Sequence, residues 1–261
     1  SLAGRKYIYQ LYPFNFDEFL RLKGADIKVP DNHDSINESI FKSVNKYYWE
    51  YIEYGGFPQV IKKEDKQEKE KTLEDIFTSY FQFEVEQLSQ FRKVSKLRDL
   101  ILLLSSRVGK RLNINKLANE LKISRDTVNE YISFLESTYL ISLIDPYSQS
   151  KDVEIRKSPK LYMIDSGLAN YIADINQGSV FEQNIFQLLR KENKINYYQK
   201  KSGTEIDFII NEKKAFEVKT NPREKHLNKL KKLSNSLGFD SYEIVSREYT
   251  ELTNTVFGFE L

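Results

Sequence analysis

Residues 204–219 alternate polar and apolar side chains on both sides of a short polar break. That period of two is the pattern of an antiparallel hairpin. Alternation predicts Ile206, Phe208 and Ile210 with Phe216 and Val218 on a buried face, and Glu205, Asp207, Glu217 and Lys219 on the other. A turn centred near Glu212 puts Asp207 almost opposite Glu217. Two carboxylates paired across strands about 5 Å apart repel each other. A divalent cation between them removes that penalty, and hard cations such as Mg²⁺ bind through one or two carboxylates plus water and phosphate oxygens. Lys219, two positions from Glu217 on the same face, is then placed to orient an attacking water or to offset charge on a phosphate. The plain alternative is a solvated polar face, with Glu217 and Lys219 an exposed pair that contributes little.

An aspartate, a gap of about ten residues and then Glu-x-Lys on the next strand resembles the motif of the PD-(D/E)XK nucleases, the fold of archaeal Holliday-junction resolvases and many restriction enzymes. Those families add a glutamate on the helix before the sheet, and Glu182 fits that place. Its helix, residues 180–190, turns Phe181, Ile185, Leu188 and Leu189 inward. Alone, Glu182 also reads as an ordinary acid near a helix start, where acids are favoured. The resemblance implies a catalytic set of Glu182, Asp207, Glu217 and Lys219, with Mg²⁺ or Mn²⁺ held by Asp207, Glu217 and Glu182.

With 261 residues the chain can build one large or two to three small domains. Its net charge of +2 is too small to imply nucleic-acid binding, so that case rests on local clusters. There is no cysteine, which excludes disulfides and thiolate chemistry and fits a cytoplasmic location. The two histidines, His33 and His226, are far apart in sequence and support neither a histidine zinc site nor a Ser-His-Asp triad. No apolar run approaches the roughly 20 residues of a membrane span. Abundant Lys, Glu, Ile and Tyr would suit a thermophile.

Residues 5–12 alternate as a strand that Pro13 ends, and residues 14–20 look helical. A lone terminal strand is not independently stable, which predicts a start inside a larger α/β domain. The stretches at 2–5 and 11–20, and later Tyr54-Gly55-Gly56-Phe57-Pro58, resemble the end of the ATPase core and the lid in one family of prokaryotic, archaeal-type AAA ATPases. Members of that family carry a C-terminal domain of unknown function built from a winged helix and a PD-(D/E)XK-like domain. The chain lacks a P-loop, since Gly109-Lys110 has neither the preceding strand nor the first glycine, so ATP would bind only to an upstream domain. Either the chain is a piece of a longer protein or it is a stand-alone remnant.

Helical spacing with many aromatics over residues 35–61 reads as core, and residues 62–71 as a solvated helix start. Residues 72–88 and 97–108 predict amphipathic helices. Residues 115–121 and 124–137, with Ser124 as N-cap, have helix-turn-helix spacing, and strands at 140–144 and 160–164 complete a winged helix. A second helix in the major groove would expose Arg125 and Asn129, against the charge of Glu130 and Glu136. Cations come from Lys110, Arg111, Lys122 and the wing residues Lys151, Arg156, Lys157 and Lys160. The same module serves equally as a packing hinge. Asp165-Ser166-Gly167 starts a short helix through Tyr171, and Arg223, Lys225, Lys229, Lys231 and Lys232 make a basic helix over Leu227, Leu230 and Leu233, followed by strands at 242–246 and 256–261.

These readings combine into an α+β, multi-domain chain: residues 1–90 as the last ATPase strand and helical lid, 91–168 as a winged helix, and 169–261 as a PD-(D/E)XK nuclease-like domain. The function expected is a DNA-associated module with a Mg²⁺-dependent endonuclease site, against a non-catalytic DNA- or partner-binding regulator of the ATPase. The DNA-contact candidates are Lys122, Arg125, Asn129, Lys151, Arg156, Lys157, Lys225 and Lys229. Expected partners are nucleic acid and the upstream ATPase core and no membrane; the homo-oligomeric state is left open.

Overall fold

The computed structural model describes residues 10–86, 94–148, 158–191, 194–200 and 202–261. Among these the protein is a mixed α+β structure with two small sheets. The strand expected over residues 5–12 lies mostly outside the described residues, and Gln10 to Tyr12 carry no regular structure.

The first half is helical. Helix α1 (Phe16–Lys23) opens on a reciprocal capping box between Asn15 and Glu18. Helix α2 (Glu38–Tyr54) buries Phe41, Val44, Tyr48, Tyr51 and Ile52, the aromatic spacing read as core. After α3 (Pro58–Ile61) comes α4 (Lys66–Tyr80), which continues as a π-helical turn over Phe81–Glu86. The start of α4 is not wholly solvated. The Lys69 ammonium is buried, sits 2.9 Å from Glu50 and lies over the Tyr54 ring, and Lys23 reaches the same Glu50 oxygen at 2.9 Å. A long aliphatic stem lets a lysine cover apolar surface while its charge finds a partner, which the charge density of the segment conceals.

Helices α5 (Val94–Ser105), α6 (Ile114–Leu121) and α7 (Arg125–Ser137) follow. Lys122 in left-handed conformation (φ 55°) ends α6, and the Ser124 hydroxyl caps α7 by accepting Thr127 N–H at 3.1 Å. Strands β1 (Ile141–Ile144) and β2 (Lys160–Met163) pair antiparallel, with Ile144 opposite Lys160. Most of their connection lies outside the described residues.

Helix α8 (Ser166–Ala173) starts at a junction that holds the helical half to the rest. The Asp165 carboxylate is fully buried and accepts Leu168 N–H at 3.0 Å, Gly56 N–H at 2.7 Å and Gln187 Nε2–H at 3.3 Å. Gly55 (φ +78°) and Gly167 are required by closeness: a Cβ on either would lie about 2 Å from Asp165 Oδ1 or Tyr54 O.

Helix α9 (Gln177–Leu189) precedes a five-stranded sheet of β3 (Ile195–Gln199), β4 (Glu205–Ile210), β5 (Lys214–Lys219), β6 (Ser241–Ser246) and β7 (Thr255–Phe257), hydrogen-bonded in that order. The first three strands are antiparallel; β5, β6 and β7 are parallel. Helix α10 (Glu224–Leu237) makes the crossover that a parallel β5–β6 pair needs. The strand expected at 256–261 stops at Phe257, where a 3₁₀ turn begins.

The hairpin expected at 204–219 forms around Asn211 and Glu212, both with positive φ, and pairs Phe208 with Phe216. Its faces differ from strict alternation. Ile206 joins Ile209, Ala215, Ile244 and the α10 residues Leu230 and Leu233, whereas Phe208, Ile210, Phe216 and Val218 share the main core with α9. Both faces are therefore buried, and the ionic side chains are not a solvated face. The cause is a register shift: between Asn196–Ile209 and Tyr198–Ile206, β3 places one residue where β4 places two, Asp207 and Phe208. Such a bulge re-aims the side chains at it. The main core runs from Phe16 to Phe259 through all three segments read from the sequence.

Candidate active site

The bulge on β4 turns Asp207 toward the end of β2. There its Oδ1 lies 3.7 Å from Lys160 Nζ, while its Oδ2 accepts Val218 N–H at 2.8 Å and stands 3.8 Å from Lys219 Nζ. Lys219 reaches Glu217 Oε1 at 2.9 Å, and Lys229 of α10 comes within 3.6 Å of the same oxygen. From α9, Glu182 Oε1 accepts the Tyr162 hydroxyl at 2.7 Å and lies 3.5 Å from Lys160 Nζ. Glu205 completes the group at 3.8 Å from Lys160. Through Lys160, Glu182 and Asp207 are no more than about 7 Å apart, and through Lys219 so are Asp207 and Glu217. Glu182, Asp207 and the Glu217–Lys219 pair thus converge from three places in the sequence.

Packing explains the placement. Tyr162, Phe186 and Phe208 form a three-ring cluster, with centroids 4.4, 5.5 and 6.4 Å apart, which fixes α9, β2 and β4 against one another. Gly109 (φ +74°) lies so close to Glu182 that a Cβ would stand 2.9 Å from Oε1. Its neighbours Leu112 and Lys110 exchange backbone bonds with Pro159 and Leu161 along β2.

The electrostatics follow from burial. Side-chain exposure is 3% for Lys160, 6% for Asp207 and 4% for Glu217, against 31% for Lys219. Burial, then the Asp207 charge, pushes Glu217 up to about 7 against the pull of Lys219 and Lys229. The same two causes raise Glu182 to about 7, opposed by Lys160 and Tyr162. Its side chain keeps 22% exposure, so water screens part of that push. Burial pulls Lys160 and Lys219 down, but the surrounding carboxylates outweigh it and hold both above the ordinary lysine value.

The donor set suits a hard cation, and Glu217 Oε2 is buried with no hydrogen-bond partner. Asp207 and Glu217 are the residues that fit such an ion. Glu182 is engaged elsewhere: among the described residues no group of three or more His, Cys, Asp or Glu is arranged to hold a metal, and Lys160 stands among Glu182, Glu205 and Asp207 instead. Lys160 reads from the sequence as a wing cation, and Tyr162 carries no assignment. The available signal was the i, i+2 spacing that puts both on one face of β2; which carboxylates they meet depends on tertiary pairing.

Of the expected DNA contacts, Lys122, Arg125 and Asn129 are exposed, and Arg125 Nη1 donates to Asn115 Oδ1 at 3.3 Å. Lys151, Arg156 and Lys157 lie outside the described residues. Lys225 and Lys229 are exposed on α10. Burial and then the charges of Lys219, Lys225, Arg223 and Lys229 pull His226 down, so a cationic rim borders the carboxylates on this side. Among the described residues no helix is long and apolar enough to cross a membrane.

Residues 177–256 match a domain of unknown function, DUF4143, and residues 45–179 match another, DUF8612. Curated relatives include an uncharacterized protein of Methanocaldococcus jannaschii, 30% identical over 222 residues (80% of this chain, 48% of the relative). One from Haemophilus influenzae is 29% identical over 226 residues (83% and 52%), and a second M. jannaschii protein, also uncharacterized, is 24% identical over 238 (80% and 49%). The chain spans about half the length of these relatives, and no solved structure matches it. By the match over residues 45–179, just over half of its length, the chain belongs to the DUF8612 family of domains of unknown function.

Proposed function

We propose that this chain is the C-terminal part of an AAA-type ATPase, a winged helix joined to a PD-(D/E)XK-like domain, and that the latter hydrolyses phosphodiester bonds of DNA with Mg²⁺ or Mn²⁺. The observation that carries the reading is the convergence of Glu182, Asp207, Glu217 and Lys219 at a bulged strand end beside a cationic rim. The helix-turn-helix of α6 and α7 followed by the β1–β2 hairpin supports the winged helix, and the match to DUF4143 supports the ATPase context. ATP binding belongs in this reading to an upstream domain of the whole protein.

Asp207 and Glu217 would hold the ion, which when bound supplies Lewis-acid activation of water and phosphate oxygen. Lys219, 2.9 Å from Glu217 and partly exposed, is the residue that orients the attacking water or meets charge on the phosphate. Lys225 and Lys229 hold the flanking phosphates. The test is cleavage of plasmid or branched DNA with Mg²⁺ or Mn²⁺. Cleavage lost in both Asp207→Ala and Lys219→Ala supports the reading, and cleavage that survives both sinks it.

A second reading is favoured by one observation, the buried Lys160 ammonium among three carboxylates. A site with its own cation suits a non-catalytic module that binds DNA or a partner for the ATPase. It predicts salt-sensitive binding without turnover and no Mn²⁺ bound at Asp207 and Glu217.

A further inference from the structure

The carboxylates of the cluster define two cation positions and not one. Asp207 and Glu217 flank the first, where the partly exposed Lys219 reaches one oxygen of each, at 3.8 and 2.9 Å. Glu182, Glu205 and Asp207 surround the second, and Lys160 Nζ occupies it, at 3.5, 3.8 and 3.7 Å from one oxygen of each. We propose that Lys160 is an internal cation that fills this second position permanently, so that the site accepts one divalent ion, at Asp207 and Glu217, where its carboxylates alone would take two. The number of ions assigned to the first position rests on the phosphodiesterase reading; the role of Lys160 does not.

Three features make Lys160 a fixture. Its backbone is pinned on both sides, by Ile144 across the hairpin and by a bridge to Arg111. Its ammonium lies 5.5 Å from the Tyr197 ring, a favourable cation–π distance, and the side chain is 3% exposed. With every group ionised, four carboxylates (Glu182, Glu205, Asp207, Glu217) face three ammoniums (Lys160, Lys219, Lys229), an excess of one negative charge that a single divalent ion more than neutralises. A second divalent ion would have to displace a lysine that is 3% exposed and paired with three carboxylates, whereas Lys219 beside the first position is 31% exposed. Lys160 is thus a positioning residue: it draws Glu182 and Asp207 together and sets how many ions they see.

Mn²⁺ binding to the chain, counted by electron paramagnetic resonance at neutral pH, tests this together with the melting temperature with and without Mn²⁺. The expected result is one Mn²⁺ on the wild type and two on Lys160→Met, whose melting temperature falls without the ion and recovers with it by more than the wild type's does. No Mn²⁺ on the wild type but one on Lys160→Met upholds Lys160 as the internal cation and sinks the phosphodiesterase reading. One Mn²⁺ on each protein overturns the proposal and leaves that reading standing, and none on either overturns both. Should Lys160→Met not fold even with Mn²⁺, the double variant Lys160→Met/Glu205→Gln removes one charge of each sign: a folded double variant supports the proposal, and an unfolded one overturns it.

Discussion

The Asp207 carboxylate accepts the Val218 amide N–H at 2.8 Å, taking the place of a ladder bond just past the Phe208–Phe216 pair. One side chain therefore closes the strand end and balances Lys160 and Lys219 at 3.7 and 3.8 Å. Asp207→Ala leaves a buried N–H and a buried ammonium short of partners, and a loss of about 3–5 kcal/mol is expected. Asp207→Asn keeps an acceptor for Val218 and gives up only the charge, so it should lose less. Urea unfolding of both variants measures the difference; equal losses would assign the whole effect to charge.

Gly55 and Gly24 both have positive φ, but only Gly55 touches anything. A Cβ there meets Asp165 Oδ1 at 1.9 Å, whereas one on Gly24 has nothing within 4 Å. Gly24→Ala should cost about 1–2 kcal/mol, the left-handed backbone alone. Gly55→Ala should exceed about 4 kcal/mol, because it drives Asp165 from its bonds to Gly56 and Leu168 and breaks the junction of α2 with α8. Chemical denaturation separates the two; similar costs would show that the α2–α8 contact is dispensable.

The sequence made the elements legible where a local rule decides them. Ser124 before an apolar-periodic run gives α7, and alternation about Asn211 and Glu212 gives the hairpin and brings Asp207 beside Glu217. It could not reveal the bulge at Asp207–Phe208, since the extra residue is defined only against β3, a partner chosen by tertiary packing. Lys160 was hidden for the same reason. A lysine in a lysine-rich stretch is ordinarily solvated, and nothing local says that this one points inward at Glu182. The parallel pairing of β7 is likewise set by the return of residues 247–254 along β6 and not by the pattern of Thr255–Phe257.

Stability should fall as pH rises from about 4.5 toward 7. Glu182 and Glu217 are held at about 7 in the fold against an ordinary 4.5, so the folded chain binds more protons than the unfolded one across that window. Their burial penalty is absent below it and complete above it. Glu217→Gln should flatten the slope, because its side chain no longer ionises. Saturating Mn²⁺ should flatten it too, since a bound cation favours the ionised carboxylates. Unfolding free energy measured at intervals from pH 4.5 to 8 checks this; a rise over the window would contradict the burial argument.

Cations on two separate elements make distinguishable predictions for DNA. Lys225 and Lys229 are exposed on α10 beside the carboxylate cluster, and Arg125 is exposed at the start of α7. Each phosphate contact contributes roughly 0.9 to the slope of log affinity against log salt on duplex DNA. Replacing both lysines with alanine should lower that slope by about 2, if the duplex lies across the cluster as cleavage there requires. Arg125→Ala should lower it by about 1 if α7 also touches the backbone, and leave it unchanged if α6 and α7 serve only as a packing hinge. Fluorescence anisotropy over a salt series reads both. An unchanged slope in the Lys225→Ala/Lys229→Ala variant would remove the phosphate track from the cluster and count against the nuclease reading independently of any metal measurement.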